Sequence, residues 1–254
     1  MLKLHLKLKF SVLAVFAFIV FTIVGTLSHE YGHIVIAKYL GYNTILHYGS
    51  MEYYKGDVHY KDDEDYKEVV KIYETFSNAI DNNLEFDEKE RFLELQNILN
   101  IKYPEIDSKD DTNNLYVTLG GPIQTILTSF LGLFILWNRK SKTKGKFKIS
   151  DWLGVFLSLF ILREVFNFVT ALFKTIFKSE SNFHGDEFRI SRFLGFDEWV
   201  VPSITVVLGM VISFYVIFKV IPLKYRFSFI LAGLVGGILG FAIWFGFLGK
   251  LILP

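Results

Sequence analysis

The chain has 254 residues, of which 52% are hydrophobic, 17% aromatic and only 21% charged, with a formal net charge of +1. Soluble domains are about 25% charged. The apolar surplus here is too large and too clustered for one globular core, which excludes a soluble enzyme and a secreted domain. Cysteine is absent from the sequence, so a disulfide framework, a thiolate zinc site and a thiol nucleophile are excluded as well.

Five long apolar segments follow one another along the chain, and each is close to the ~20 residues that a helix needs to span a bilayer. The first has a basic start, but it is longer than the apolar region of a usual signal peptide and no small-residue cleavage site follows it, so we expect it to be retained. The sequence therefore predicts an all-α polytopic membrane protein with about five transmembrane helices, in segments 10–27, 115–137, 152–173, 199–218 and 227–249.

A hydrophilic insert, residues 41–114, separates the first two apolar segments. It contains 8 Lys/Arg and 18 Asp/Glu, a net charge of 8 − 18 = −10. Residues 44–60 are rich in Tyr, Ile and Val with glycines at turn-like spacing, which predicts a small β-hairpin. Residues 62–79 and 87–100 carry apolar residues at helical spacing, which predicts two amphipathic helices with solvated acidic faces.

Positive charge gathers in the short connections between the other segments. The loop 138–150 contains six cations and no acid, and the loop before the last segment adds Lys224 and Arg226. With five spans, these loops and the N-terminus share one side of the membrane, and the positive-inside rule predicts that this side is cytoplasmic and that the insert and the C-terminus are outside. We divide the chain into the first transmembrane helix (1–40), the insert (41–114) and the other four transmembrane helices (115–254).

The end of the first apolar segment carries His29, Glu30 and His33 in an H-E-x-x-H pattern. On a helix the two histidines lie one turn apart on the same face, so both imidazoles can bind one zinc ion. Glu30 is then placed to act as a general base toward a water molecule at the metal. Burying three such residues beside an apolar run is costly without a function, so we interpret the pattern as a zinc site with Glu30 as its catalytic residue.

A catalytic zinc site needs a third protein ligand and an open fourth position. The cluster of ionisable residues that follows the third apolar segment, within 180–190, lies on the side of the membrane where the first segment ends. Asp186 is the first choice as third ligand, and His184 and Glu187 are the alternatives.

Gly121 and Pro122 stand near the beginning of the second apolar segment, on the same side by span counting. The pair predicts a helix start, with Pro122 in the first turn and Gln124 facing the active site. Close approach of the backbone to a neighbour is possible there because Gly121 has no side chain. We expect Gly121, Pro122 and Gln124 to contribute to substrate binding.

The third apolar segment is interrupted by Arg163 and Glu164. Charged residues within a membrane normally face the interior of the helix bundle or an aqueous cavity. We expect Arg163 to form a structural tie to a glutamate or to a backbone carbonyl. Asn167, one turn further along, is expected to line the route to the zinc and to bind substrate.

Taken together, the intramembrane H-E-x-x-H, the strand-like insert, the Gly-Gly-Pro sequence and the downstream Asp resemble the site-2 protease family of intramembrane zinc metalloproteases. The resemblance covers roughly residues 10–190. It implies that His29 and His33 are metal ligands, that Glu30 is the catalytic acid/base and that Asp186 is the third ligand. It also implies that the hairpin holds the substrate in an extended form.

Two features of the family differ from this chain. The family's Asp usually stands in a Leu-Asp-Gly sequence, whereas Asp186 stands in His-Gly-Asp-Glu. Family members generally open their active site toward the cytosol, whereas the lysine distribution predicts the opposite side, so both orientations stay open.

The predicted function is that of a zinc endopeptidase that hydrolyses peptide bonds in or near the transmembrane segments of membrane proteins, with the lipid bilayer as its surroundings. Three alternatives stay open, one of which is a structural membrane scaffold with neither metal nor catalysis. A CAAX-processing type of membrane metalloprotease would need Glu164 or Glu187 as a ligand, and a metal-binding or transport protein would hold the metal without catalysis. No nucleic-acid signature is present, and the overlapping G-x-x-x-G pairs of the last segment predict close packing, within the chain rather than in a dimer.

Overall fold

The structure is a computed structural model that describes residues 6–56, 59–78, 86–102, 112–139, 147–178 and 183–253. Five of its helical segments are long and apolar enough to cross a membrane. Each overlaps one predicted segment, so the predicted all-α, five-span fold of a multi-pass membrane protein is confirmed. The spans are Leu8–Tyr39, Thr112–Trp137, Ile149–Phe177, Val200–Val220 and Leu223–Ile252.

Several spans combine more than one helical segment. The third consists of two α-helices joined by a 3-10 turn at Leu159–Ile161, and the fourth and fifth contain π-helical turns at Val216–Val220 and Trp244–Leu248. In chain order the elements are α1 (Leu8–Tyr39), β1 (Asn43–Leu46), β2 (Met51–Tyr54), α2 (Glu64–Asn78), α3 (Phe86–Lys102), α4 (Thr112–Trp137), α5 (Ile149–Ser158), α6 (Leu162–Lys178), α7 (Asp186–Phe193), α8 (Val200–Tyr215), α9 (Leu223–Ile243) and α10 (Gly249–Ile252).

The insert contains the predicted hairpin and the two predicted helices. Strands β1 and β2 pair antiparallel, with Asn43 opposite Tyr54 and Leu46 opposite Met51. Pairing ends at Tyr54 rather than at residue 60, because Gly56 has a φ of 96° and turns the chain away. A 3-10 turn at Tyr60–Asp62 follows. The last residue of the first predicted helix, residue 79, lies outside the described residues, as do residues 57 and 58 of the predicted hairpin.

Helix α1 packs along α9 and α4. The G-x-x-x-G pair Gly236 and Gly240 faces α1. A Cβ at Gly236 would lie 2.7 Å from the Val15 carbonyl oxygen, and one at Gly240 would lie 2.9 Å from the Thr22 side chain. The small residues therefore allow close packing of two helices of the same chain, as predicted.

Aromatic rings hold together the end of the bundle where α1, α5 and α9 begin. The Phe10 ring lies 4.9 Å from Trp152 and 4.8 Å from Tyr225. The Lys7 amide donates a hydrogen bond to the Ser228 hydroxyl at 2.8 Å. Residues 140–146 of the predicted basic loop lie outside the described residues, and the sidedness of the membrane stays a prediction.

At the other end the helices separate. Helix α6 packs mainly against α8, which leaves room between α6 and α1. The hairpin lies over this gap, and its turn is fixed to the fifth span because the Trp244 indole N–H donates to the Tyr48 carbonyl at 2.7 Å. The result is a cavity of about 540 Å³ between α1, the hairpin, α6 and the start of α7.

Candidate metal centre

His29 and His33 lie one turn apart on the last third of α1, and both side chains are buried. Their Nε2 atoms lie 2.9 and 3.2 Å from the same carboxylate oxygen, Oδ2 of Asp186. The three potential ligand atoms lie within 4.8 Å of one another, and no other such group of His, Cys, Asp or Glu occurs among the described residues. The structure thus brings together the three residues that the sequence predicts as zinc ligands.

The other ring nitrogen of each histidine contacts helix α4. Nδ1 of His29 lies 2.9 Å from the Thr125 hydroxyl, and Nδ1 of His33 lies 2.7 Å from the Val117 carbonyl oxygen. Because a carbonyl only accepts, we assign the proton of His33 to Nδ1, which leaves the Nε2 lone pair available for a metal. Such outer contacts fix the tautomer and the ring orientation in metal sites.

Space for an ion is provided by Gly121. A Cβ built on this residue would fall against the Nε2 atoms of both His29 and His33. Two imidazole nitrogens and one carboxylate oxygen are also one of the donor sets found in catalytic zinc sites with three protein ligands. The residues present therefore fit a zinc ion, and the absence of a side chain at Gly121 keeps its position open.

Helix α4 differs from the prediction at this point. It begins at Thr112, so Pro122 lies well inside the helix and not in its first turn. The start of α4 is stabilised by contacts with other elements. Asn114 accepts a hydrogen bond from the Tyr53 hydroxyl at 2.9 Å and contacts Arg189 at 3.5 Å. Contacts with the hairpin and α7 thus stabilise the polar residues 112–114, which hydropathy alone excludes from the helix.

Glu30 lies beside the ligand group and lines the cavity together with His33 and Asp186. Its side chain is buried, with 5% of the residue exposed. Its ion-pair partner among the described residues is Arg163, whose Nη2 lies 3.6 Å from Oε1 of Glu30. The predicted tie of Arg163 to a glutamate is therefore present, and its partner is the candidate catalytic residue.

Asp186 is the first residue of α7, with 19% of its side chain exposed to the cavity. Burial alone would raise the pKa of this carboxyl group, but hydrogen bonds and charges from His29 and His33 outweigh burial and hold the pKa below its usual range. The alternatives to Asp186 lie elsewhere. His184 is exposed on the cavity wall, and Glu187 is buried outside the ligand group.

A pair of buried acids lies next to Asp186, with Glu164 at the start of α6 and Glu187 directly after Asp186 in α7. Each of the two residues is 2% exposed. Both carboxyl oxygens of Glu164 and Oε1 of Glu187 are buried and have no hydrogen-bond partner within the described ranges.

The remaining predicted substrate-binding residues are in different surroundings. Asn167 lines the cavity, one turn beyond Arg163. Gln124 packs against α1 at Gly32 and donates a hydrogen bond to Thr128 at 2.9 Å. It is not among the residues that line the cavity. A role in substrate binding stays a prediction for Gly121, Pro122, Gln124 and Asn167.

Thr125 and Val117, which position the two imidazoles, were not predicted from the sequence. The tie of Arg163 to a glutamate was predicted, but its partner Glu30 was not. Thr125 stands one turn after Gly121, the only signal that could have indicated it. Val117 contributes a carbonyl oxygen, which no side-chain pattern reveals. Comparisons of the chain with protein-family models, curated proteins and solved structures found no match.

Proposed function

We propose that this protein is an intramembrane zinc metalloendopeptidase that hydrolyses peptide bonds in or near transmembrane segments of other membrane proteins. One observation carries the proposal. The atoms of His29, His33 and Asp186 surround a space beside Gly121, and Glu30 lines the same cavity. The resemblance of these residues to the site-2 protease family supports the same function.

The chemistry follows from the positions of these groups. A zinc ion on the three ligands would lower the pKa of a water molecule and polarise the scissile carbonyl. Glu30 takes a proton from the attacking water and delivers it to the leaving amine. Its burial keeps the carboxylate away from bulk solvent, where electrostatic interactions are weaker.

The hairpin offers a way to hold the substrate. A transmembrane helix satisfies its own peptide groups by hydrogen bonding, so a substrate must unwind before its carbonyl can be attacked. Met51 and Tyr53 of β2 line the cavity, and the described sheet has only two strands. An unwound segment can add to a strand edge and replace its lost helical hydrogen bonds.

The alternatives receive less support. A CAAX-processing type of enzyme would use Glu164 or Glu187 as ligand, but these residues lie outside the ligand group of the described chain. A protein that only binds or transports metal gives no role to Glu30, whose buried carboxylate faces the cavity beside the ligands.

The experiment compares the wild type with Glu30→Gln in detergent, loaded with zinc, on a panel of single-span substrates and on unfolded β-casein. We expect Glu30→Gln to cleave about 10²–10⁴-fold more slowly while its zinc content is unchanged, because only the proton transfer is lost. Glu90→Gln, on the exposed face of α3, is the matched control and should cleave like the wild type.

Equal cleavage by the wild type and Glu30→Gln would exclude the proposed mechanism. A wild type that holds zinc and cleaves nothing in the panel would favour the metal-binding alternative.

A further inference from the structure

Arg163 stands in the third membrane span at the start of α6, and its side chain reaches the cavity that contains Glu30 and Asp186. It is 28% exposed, and within 4 Å its ion pair among the described residues is with Glu30. A cation in a membrane span normally either has a functional role or is paired with acidic groups or backbone carbonyls.

The contacts of Arg163 do not use all the hydrogen-bond donors of its guanidinium group. The 3.6 Å separation from Glu30 is longer than a hydrogen bond. Its Nε is buried and has no hydrogen-bond partner within the described ranges. A guanidinium offers five donors in a planar fork and stays charged at any pH relevant to proteins. A structural arginine in apolar surroundings would be expected to use more of these donors.

On the basis of the proposed function, we propose that Arg163 is a second catalytic residue, which stabilises the negative charge that develops on the substrate carbonyl oxygen. The structure places its guanidinium beside Glu30, on the wall of the cavity where that oxygen must lie.

Charge movement during hydrolysis explains why a cation belongs at this position. The water oxygen forms a bond to the carbonyl carbon, the π electron pair moves to the carbonyl oxygen, and a water proton moves to the Glu30 carboxylate. Glu30 becomes neutral at the moment when the substrate oxygen becomes negative. When Glu30 is protonated, Arg163 no longer faces a negatively charged carboxylate. The substrate oxygen becomes its new negatively charged partner in the same cavity.

The second half of the reaction reverses this movement. The oxygen lone pair reforms the carbonyl, the C–N bond breaks with its electron pair on nitrogen, and Glu30 gives its proton to that nitrogen. The carboxylate is then again the partner of Arg163. A planar guanidinium can contact two oxygens in turn without losing its charge, whereas a lysine presents a single point charge.

The test uses Arg163→Gln and Arg163→Lys in the full-length, zinc-loaded protein, with a substrate that the wild type cleaves. Removal of one donor to a developing oxyanion lowers kcat by about 10²–10³-fold, so we expect this loss in Arg163→Gln with little change in KM or zinc content. Arg163→Lys should recover part of the loss. Lys224→Gln, which removes a cation from the opposite end of the bundle, is the matched control.

A binding measurement separates this role from a structural one. A phosphinate peptide replaces the scissile amide by a stable tetrahedral anion. Arg163→Gln should weaken its binding by about the same factor as kcat, and should leave binding of the uncleaved substrate peptide unchanged in the Glu30→Gln background. A kcat near that of the wild type, or equal loss of affinity for both peptides, would overturn the inference. A loss of zinc that Arg163→Lys does not restore would do the same. The kcat, zinc and phosphinate measurements do not use Glu30→Gln, whose activity tests the proposed function itself.

Discussion

The two ends of the helix bundle differ in the side chains that they bury, because aromatic rings pack together at one end and ionisable groups cluster at the other. Where α1 begins, Phe10 packs between Trp152 and Tyr225, and apolar packing of this kind stabilises the fold at no electrostatic cost. Where α1 ends, it buries two histidines and a glutamate beside the acid pair of Glu164 and Glu187. Burial of so many ionisable groups in a membrane protein opposes folding. The comparison indicates that one end provides stability and the other a chemical site.

The largest expected effect is on zinc affinity and follows from a substitution at Gly121, at the end of the bundle that buries the ionisable groups. A Cβ in Gly121→Ala would occupy the space between the Nε2 atoms of His29 and His33. We expect zinc affinity to fall by at least about 100-fold, comparable to or greater than the loss of an outer contact of a metal ligand. Titration of the purified variant with zinc against a competing chelator measures it.

Gly25→Ala is the matched control on α1. A Cβ at Gly25 would lie 3.9 Å from the Phe160 ring, an ordinary contact, so this variant should bind zinc like the wild type. Equal zinc affinity in Gly121→Ala and the wild type would show that the metal, if bound, lies elsewhere.

At the end of the bundle that contains the metal centre, a contact could be predicted when its residues lie close together in the sequence, and contacts between distant residues could be predicted less well. The two histidines and Glu30 follow from local helical spacing, and Asp186 follows from span counting together with its residue type. The start of α4 ten residues before Pro122, the space beside Gly121 and the contact of Arg163 with Glu30 arise from packing between distant segments. The spacing of residues within one segment gives no information about contacts between distant segments.

A smaller effect, on stability, is expected where α1 packs against Gly240 of α9, a contact that we call the seam. In Gly240→Ala the new Cβ would lie 2.9 Å from Thr22 and 3.1 Å from the Ile19 backbone. Overpacking of this kind costs about 1–3 kcal/mol, so we expect a lower midpoint of thermal denaturation in detergent. Zinc content at low temperature should be unchanged, because the seam lies away from the metal ligands.

Gly237→Ala provides the matched control in the same helix. A Cβ at Gly237 would meet nothing within 4 Å, and alanine stabilises a helix interior by about 1 kcal/mol relative to glycine. Its midpoint should equal or exceed that of the wild type. The same fall in both variants would contradict the assignment of the seam to Gly240.

The most direct test of the central claim is the zinc content of the purified wild type, His33→Ala and Asp186→Ala, each incubated with zinc and then freed of loosely bound ions. With three ligands from one chain, we expect about one zinc per chain in the wild type and far less in both variants. A wild type that folds but holds no zinc, or variants that retain the same zinc as the wild type, would contradict the metal centre of His29, His33 and Asp186.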